Sequence, residues 1–170
     1  LVTAEMVHGK VIPFLTDRWG NPSSMHHFGG DVEKDIEAAR AQVAEALGAE
    51  RPTEIIFTSG GTESDNTAIR SALASRRGRR RIVTTRVEHP AVLNVCRNLE
   101  REGYSVRYLP VDKDGNLSLD ELRNAMDEDV ALVTIMAANN ETGVLFPVEK
   151  AGEIAHEYGA LFHTDAVQAF

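Results

Sequence analysis

The feature that most constrains this chain is an alternation of hydrophobic period that begins near Glu54 and continues to the last residues. Short apolar runs at 54–57, 81–85, 104–109, 129–136 and 160–163 are rich in β-branched and aromatic side chains, and are predicted as strands. Between them, 62–75, 91–102, 118–126 and 148–158 carry apolar residues at helical spacing. Strands separated by helices are joined by right-handed crossovers into a parallel sheet. The predicted fold class is therefore α/β, a mainly parallel sheet with flanking helices. The 129–136 run is apolar almost throughout, as expected of a strand buried on both faces. Ser118 and Glu121 are spaced as a capping box, and Gly103 and Gly159 stop the helices that precede them.

Ahead of this region, Met6, Val7, Val11, Ile12 and Leu15 form a helical stripe over 3–19, interrupted by Pro13. Residues 21–30, Asn-Pro-Ser-Ser-Met-His-His-Phe-Gly-Gly, read as a turn-rich loop. Asp31 is then the expected cap of a helix with Val32, Ile36, Ala39, Val43 and Leu47 on one face, stopped by Gly48. The predicted organisation is a helix-and-loop segment, 1–30, followed by 31–170 as an incomplete ligand-binding large domain.

Open α/β sheets bind ligands beyond the carboxyl ends of their strands, so the residues that follow each run decide function. After 54–57 comes Thr58-Ser59-Gly60-Gly61-Thr62-Glu63-Ser64. Its glycines can take positive φ and let another group approach the backbone closely, at a helix N-terminus that favours an anion, although a plain tight turn with a Thr N-cap fits the local sequence equally well. No Lys follows the glycines and no G-x-G-x-x-G spacing is present, which excludes a P-loop and a dinucleotide fingerprint. After 81–85 comes Glu88-His89-Pro90, after 129–136 comes Asn139-Asn140-Glu141, and after 160–163 comes Asp165 with Gln168 three residues on. Singly these are a helix-capping His, a turn Asn and a capping Asp. Together they offer an anion cup, an imidazole, a carboxylate and amides, the set that pyridoxal 5'-phosphate needs for its phosphate, ring, ring nitrogen and phenolic oxygen.

Composition removes several alternatives. A net charge of −8 argues against nucleic acid as a partner, and the basic run Arg76-Arg77-Gly78-Arg79-Arg80-Arg81 is expected to be a solvated loop. No apolar run approaches the ~20 residues needed to cross a bilayer. The single cysteine, Cys96, forms no internal disulfide, fits a cytoplasmic setting, and lies on a predicted helix as a packed side chain rather than a nucleophile.

Thr58-Ser59-Gly60-Gly61-Thr62-Glu63-Ser64-Asp65-Asn66, Glu88-His89-Pro90-Ala91-Val92-Leu93, Asn139-Asn140-Glu141-Thr142-Gly143 and His163-Thr164-Asp165-Ala166-Val167-Gln168 together resemble the cysteine desulfurases of the class V aminotransferase group, enzymes of pyridoxal-phosphate fold type I. Asn21-Pro22-Ser23-Ser24-Met25-His26 matches a further motif of that family, and Asn140-Glu141-Thr142-Gly143 with Leu145-Phe146-Pro147 is closer to its nitrogen-fixation type. The resemblance implies phosphate binding by Gly61 and Thr62, and His89 stacked on the ring as the catalytic proton carrier. It implies Asp165 at the ring nitrogen, Gln168 at the phenolic oxygen with Asn140 close by, and no metal. The implied reaction takes L-cysteine to L-alanine and leaves the sulfur as an enzyme persulfide. The implied context is a cytoplasmic homodimer that passes sulfur to an iron–sulfur scaffold protein. The family's cofactor-bearing lysine, in Ser-Gly-His-Lys, and its persulfide cysteine have no counterpart in this sequence, which is therefore expected to be an inactive fragment. The alternatives are a selenocysteine lyase or related class V enzyme, and a non-catalytic binding protein on the same fold.

Overall fold

The computed structural model describes residues 7–24 and 27–169. The chain divides into two compact units, 1–57 and 58–170. In the first, a π-helical turn Val7–Val11 leads into a short helix α1 (Ile12–Thr16), with Pro13 in its first turn, where no N–H is required. The start of the predicted 3–19 stripe lies outside the described residues. The next helix, α2 (His27–Leu47), begins earlier than predicted. Residues 27–30 are thus helical rather than loop, and Asp31 sits inside the helix, where its carboxylate meets Lys34 at 3.0 Å instead of capping the first turn.

The predicted strand at 54–57 does not form. Pro52–Glu54 is a 3-10 turn, and Ile55 that follows is extended without a neighbouring strand. Ile56 and Phe57 are 73% and 49% exposed. The segment is held to α2 instead: Arg40 donates to the Ile55 carbonyl at 2.5 Å and lies 4.9 Å from the centroid of the Phe57 ring. β-branched and aromatic side chains favour extended backbone, but a strand also needs a ladder partner, and among the described residues none pairs with this segment.

The second unit follows the predicted alternation closely. It runs α3 (Gly61–Ser75), β1 (Arg81–Thr85), α4 (Pro90–Arg101), β2 (Ser105–Leu109), α5 (Leu119–Asn124), β3 (Val130–Thr134), α6 (Val148–Glu157) and β4 (Leu161–His163). The four strands are all parallel, in the order β2-β1-β3-β4. Alternate side chains leave the sheet on opposite faces. On one face, Ile82 and Leu132 pack with Ile69 and Leu73 of α3 and Val92, Val95 and Leu99 of α4. On the other, Val83 and Val133 pack with Leu122 of α5 and Ile154 and Ala155 of α6. β3 is buried along its whole length, as its unbroken apolar run requires. The Ser118 hydroxyl accepts the Glu121 N–H at 3.2 Å and starts α5 as predicted.

The basic run is partly structural, where a solvated loop was expected. One nitrogen of the Arg79 guanidinium, Nη1, donates to the carbonyls of Val130 and Tyr158 at 2.8 and 2.9 Å, stapling the start of β3 to the end of α6. Asp127 pairs with Arg81, and Asp129 accepts the Arg80 N–H at 3.0 Å. Arg77 is exposed. We therefore expect Arg79→Ala to lower unfolding stability by about 1–3 kcal/mol, since it orphans two carbonyls, while Arg77→Ala stays within about 0.5 kcal/mol. Urea denaturation of the two variants checks this, and equal stabilities would refute the staple.

Candidate functional site

In the order β2-β1-β3-β4, the chain leaves β1 toward β2, then crosses back to lay β3 on the other side of β1. The connections at the carboxyl ends of β1 and β3 therefore diverge, and a crevice opens between them. There the structure forms a cleft of about 270 Å³ lined by Gly61, Thr62, Asp65, His89, Met136, Ala138, Asn140, Asp165, Val167 and Gln168. Every residue predicted to bind the ligand (Gly61, Thr62, His89, Asn140, Asp165 and Gln168) lies on this lining. A second, larger cleft of about 460 Å³ shares His89 and Asn140 but runs along the Asp112–Gly115 turn. The smaller one is the candidate, because the strand ends converge there.

Helix α3 reaches the cleft with its N-terminus. Its N-cap is Gly60, with no side-chain cap, so Thr62 is not the N-cap of the helix. Gly60, at φ 161°, is ordinary extended backbone and Gly61 is already helical, so positive φ is not why they are glycines. Gly61 is a glycine for space: a Cβ there would stand 3.1 Å from Cγ2 of Val167, which walls the cleft. The first N–H groups of a 15-residue helix, at Gly61 and Thr62, are left without intrahelical partners, at the positive end of the helix dipole. The turn before them is braced by its own side chains. Hydrogen bonds from the Ser59 side chain and from the Ser59 N–H, the latter at 2.7 Å, hold the Glu63 carboxyl below the usual range, and the Thr58 and Ser64 hydroxyls meet at 2.7 Å.

His89 caps α4: its Nδ1 accepts the Ala91 N–H at 3.1 Å. The capping role and the place on the cleft are compatible, since that bond leaves Nε2 as the nitrogen that carries a proton in the neutral ring. Asp165 is positioned by backbone bonds that extend the β3–β4 ladder: Ile135 N–H to the His163 carbonyl at 3.1 Å and Ala137 N–H to the Asp165 carbonyl at 2.8 Å. Its carboxylate accepts the Val167 N–H at 3.0 Å. Asn139, quoted only as part of a motif, is the organiser of the β3–α6 loop. Its Oδ1 accepts from Glu141, Thr142 and the Thr142 hydroxyl, while Nδ2 donates to the Val87 carbonyl at 3.1 Å. That clamp leaves the neighbouring Asn140 exposed on the cleft lining.

Three site residues were missed in the sequence. Glu88, 4% exposed, ties the diverging strands together: Oε1 accepts the Thr85 hydroxyl at 2.7 Å and the Met136 N–H at 3.1 Å, while Oε2 is buried without a partner. Burial pushes its carboxyl up to about 7. Asp65, also 4% exposed, is pushed up to about 6 by burial and by the nearby Asp165 charge. His163 lies with Nε2 3.6 Å from Asp65 and with Nδ1 2.8 Å from the Thr134 hydroxyl. Asp65 could have been suspected from its place four residues after Gly61, on the face of α3 that carries the cup. The other two give no such signal.

The sequence matches the model of the aminotransferase class-V family over residues 3–170. The chain belongs to the class-V aminotransferase family. Among class-V relatives, it is 58% identical over 159 residues to a cysteine desulfurase of Nostoc sp., covering 94% of this chain and 40% of that protein. It is 53% identical over 159 residues to the cysteine desulfurase NifS of Azotobacter vinelandii, with the same coverage, 94% and 40%. The chain thus spans about 40% of the length of these curated relatives. The solved structure of a NifS-like protein superposes with a TM-score of 0.88 at 42% identity, over 93% of this chain and 44% of the other. That of SspA in complex with cysteine gives 0.88 at 38% identity, over 93% and 46%. Among the described residues no helix is long and apolar enough to cross a membrane, and no cluster of metal-ligating side chains is present. The lining of the class-V cleft contains no lysine.

Two outcomes follow from the burial of these groups. Cys96 is fully buried and its thiol is pushed up to about 12, mainly by burial, so it should resist a thiol-specific reagent in the folded chain and react on unfolding. Rapid modification at neutral pH without denaturant would contradict this. Glu88 ionises at about 4.5 when unfolded and about 7 when folded. Its contribution is therefore full below the lower value and is lost as pH rises through the higher one. Glu88→Gln should remove that loss, so that urea midpoints between about pH 5 and about pH 8 fall less with rising pH than in the unaltered chain. Parallel curves would contradict it.

Proposed function

We propose that this chain supplies the cofactor cradle of a pyridoxal-phosphate-dependent cysteine desulfurase, a protein that converts L-cysteine to L-alanine and transfers the sulfur to an enzyme cysteine as a persulfide. The observation that carries the reading is the convergence, at the β1/β3 crevice, of an uncapped helix N-terminus, His89, Asp165 and Gln168. The residues present fit the cofactor. Gly61 leaves room beside Val167, and the open N–H groups of Gly61 and Thr62 suit a phosphate. Bound there, pyridoxal phosphate supplies an electron sink for the carbanion formed when a substrate loses its α-proton.

The chain's own residues would act as follows. Gly61 and Thr62 hold the phosphate and fix the register of the ring. Asp165, its carboxylate steadied by the Val167 N–H, holds a proton on the ring nitrogen and so keeps the ring cationic. Gln168 and Asn140 offer amides to the phenolic oxygen. His89 rests against the ring, its Nδ1 committed to α4 and its Nε2 free to carry a proton in the cleft. Cysteine as substrate is supported by the relatives named cysteine desulfurase and by the SspA structure solved with cysteine. The lysine and the thiol that the reaction needs would come from sequence outside this chain, which alone should release no alanine from cysteine. We further propose that the whole protein is a cytoplasmic homodimer that hands sulfur to an iron–sulfur scaffold.

The test is Asp165→Asn in the full-length protein. The amide is nearly isosteric, so folding should persist, while turnover of cysteine to alanine should fall by at least about a hundredfold, since the ring nitrogen loses its anionic partner. Unchanged turnover, or a full-length protein that gains no visible absorbance with pyridoxal phosphate, would overturn the assignment.

A further inference from the structure

The cleft contains two carboxyl groups in opposite circumstances. Asp165 is partly exposed and its Oδ1 accepts the Val167 N–H at 3.0 Å. Asp65 is 4% exposed, and Nε2 of the His163 imidazole stands 3.6 Å from its Oδ1. His163 is itself fixed from behind, with Nδ1 2.8 Å from the Thr134 hydroxyl. The charged groups that bear on Asp65 are Asp165 and His163 on the β4 side and His89 and Glu88 after β1. Asp65 also lines the same cleft as Gly61 and Thr62, one helical turn from the open N–H groups.

We propose that Asp65 and His163 form a proton-holding pair that couples anion binding at the N-terminus of α3 to the uptake of one proton. The pairing rests on the anion-cup reading above, and adds to it residues that the cofactor contacts do not involve. A fixed carboxylate beside an anion site opposes the anion, whereas a carboxyl that accepts a proton when the anion arrives removes the opposition. The geometry allows this without moving a heavy atom. A threonine hydroxyl both donates and accepts. With Asp65 ionised, His163 carries its proton on Nε2, facing the carboxylate, and Nδ1 accepts from Thr134. With Asp65 protonated, the imidazole proton sits on Nδ1, donated to Thr134, and Nε2 faces the acid proton. Burial favours the neutral imidazole and the neutral carboxyl alike, so one added proton resides on Asp65 and none is added to His163.

The chain as it stands tests this, with sulfate as the probe because it stays a dianion from about pH 5 to about pH 8. The side-chain carboxyl 13C signal of Asp65 should titrate near 6 in the free chain and at a higher pH in saturating sulfate. This measurement needs no variant and reports on Asp65 itself. Asp65→Asn should bind sulfate about threefold to tenfold more tightly than the unaltered chain at about pH 8 and low salt, with the advantage shrinking as pH falls through 6. A midpoint that sulfate does not move, equal sulfate affinities at the higher pH, or no sulfate binding at all would overturn the coupling. Pyridoxal phosphate binding, measured on the same samples, separates the two readings. Cofactor bound with an unmoved Asp65 sinks the pair alone; a sulfate-responsive Asp65 without cofactor binding sinks the cofactor reading alone.

Discussion

The structure of the second unit depends on the pairing of β1 with β3 and on what holds their ends where they part. Ile82, Val83 and Thr84 lie in parallel register with Leu132, Val133 and Thr134. Past that register the backbones separate, and a single buried carboxyl spans the gap, accepting from Thr85 on one side and from Met136 on the other. Glu88 is the residue before His89, so the same bridge that closes the sheet also fixes where the imidazole enters the cleft. A buried carboxyl with one unpartnered oxygen is costly as an anion, and here it is the neutral acid that the site favours.

From that crevice outward, each element brings one kind of group. Helix α3 brings open N–H donors, the loop after β1 an imidazole, the loop after β3 an amide set free by the Asn139 clamp, and the end of β4 a carboxylate and a Gln. Two acidic residues at the crevice, Asp65 and Glu88, are buried and pushed toward neutrality, while Asp165 accepts a backbone N–H.

Much of this was legible in the sequence, for physical reasons. Alternating strand and helix periods imply crossovers, crossovers imply a parallel sheet, and a parallel sheet puts the residues that follow its strands at one edge. His89, Asn140, Asp165 and Gln168 could therefore be chosen from order along the chain alone. Residues 54–57 misled because strand preference is local and pairing is not: Ile56 and Phe57 found no ladder partner. Gly61 does admit a close approach, as expected of it, but positive φ is not involved, and the group that approaches is Val167, more than a hundred residues away in sequence. Glu88, Asp65 and His163 looked ordinary because their character comes from burial beneath the crossover, which no local pattern reports. Arg79 reaches its carbonyl partners for the same reason.

The central claim is that the β1/β3 crevice, and not the larger cleft beside the Asp112–Gly115 turn, receives pyridoxal phosphate. Backbone amide shifts of the 15N-labelled chain on addition of the cofactor test it directly. The account predicts the largest changes at Gly61, Thr62, His89, Asn140, Asp165 and Gln168. Changes centred on Lys113 and its neighbours, or none above those caused by the buffer ion, would contradict it.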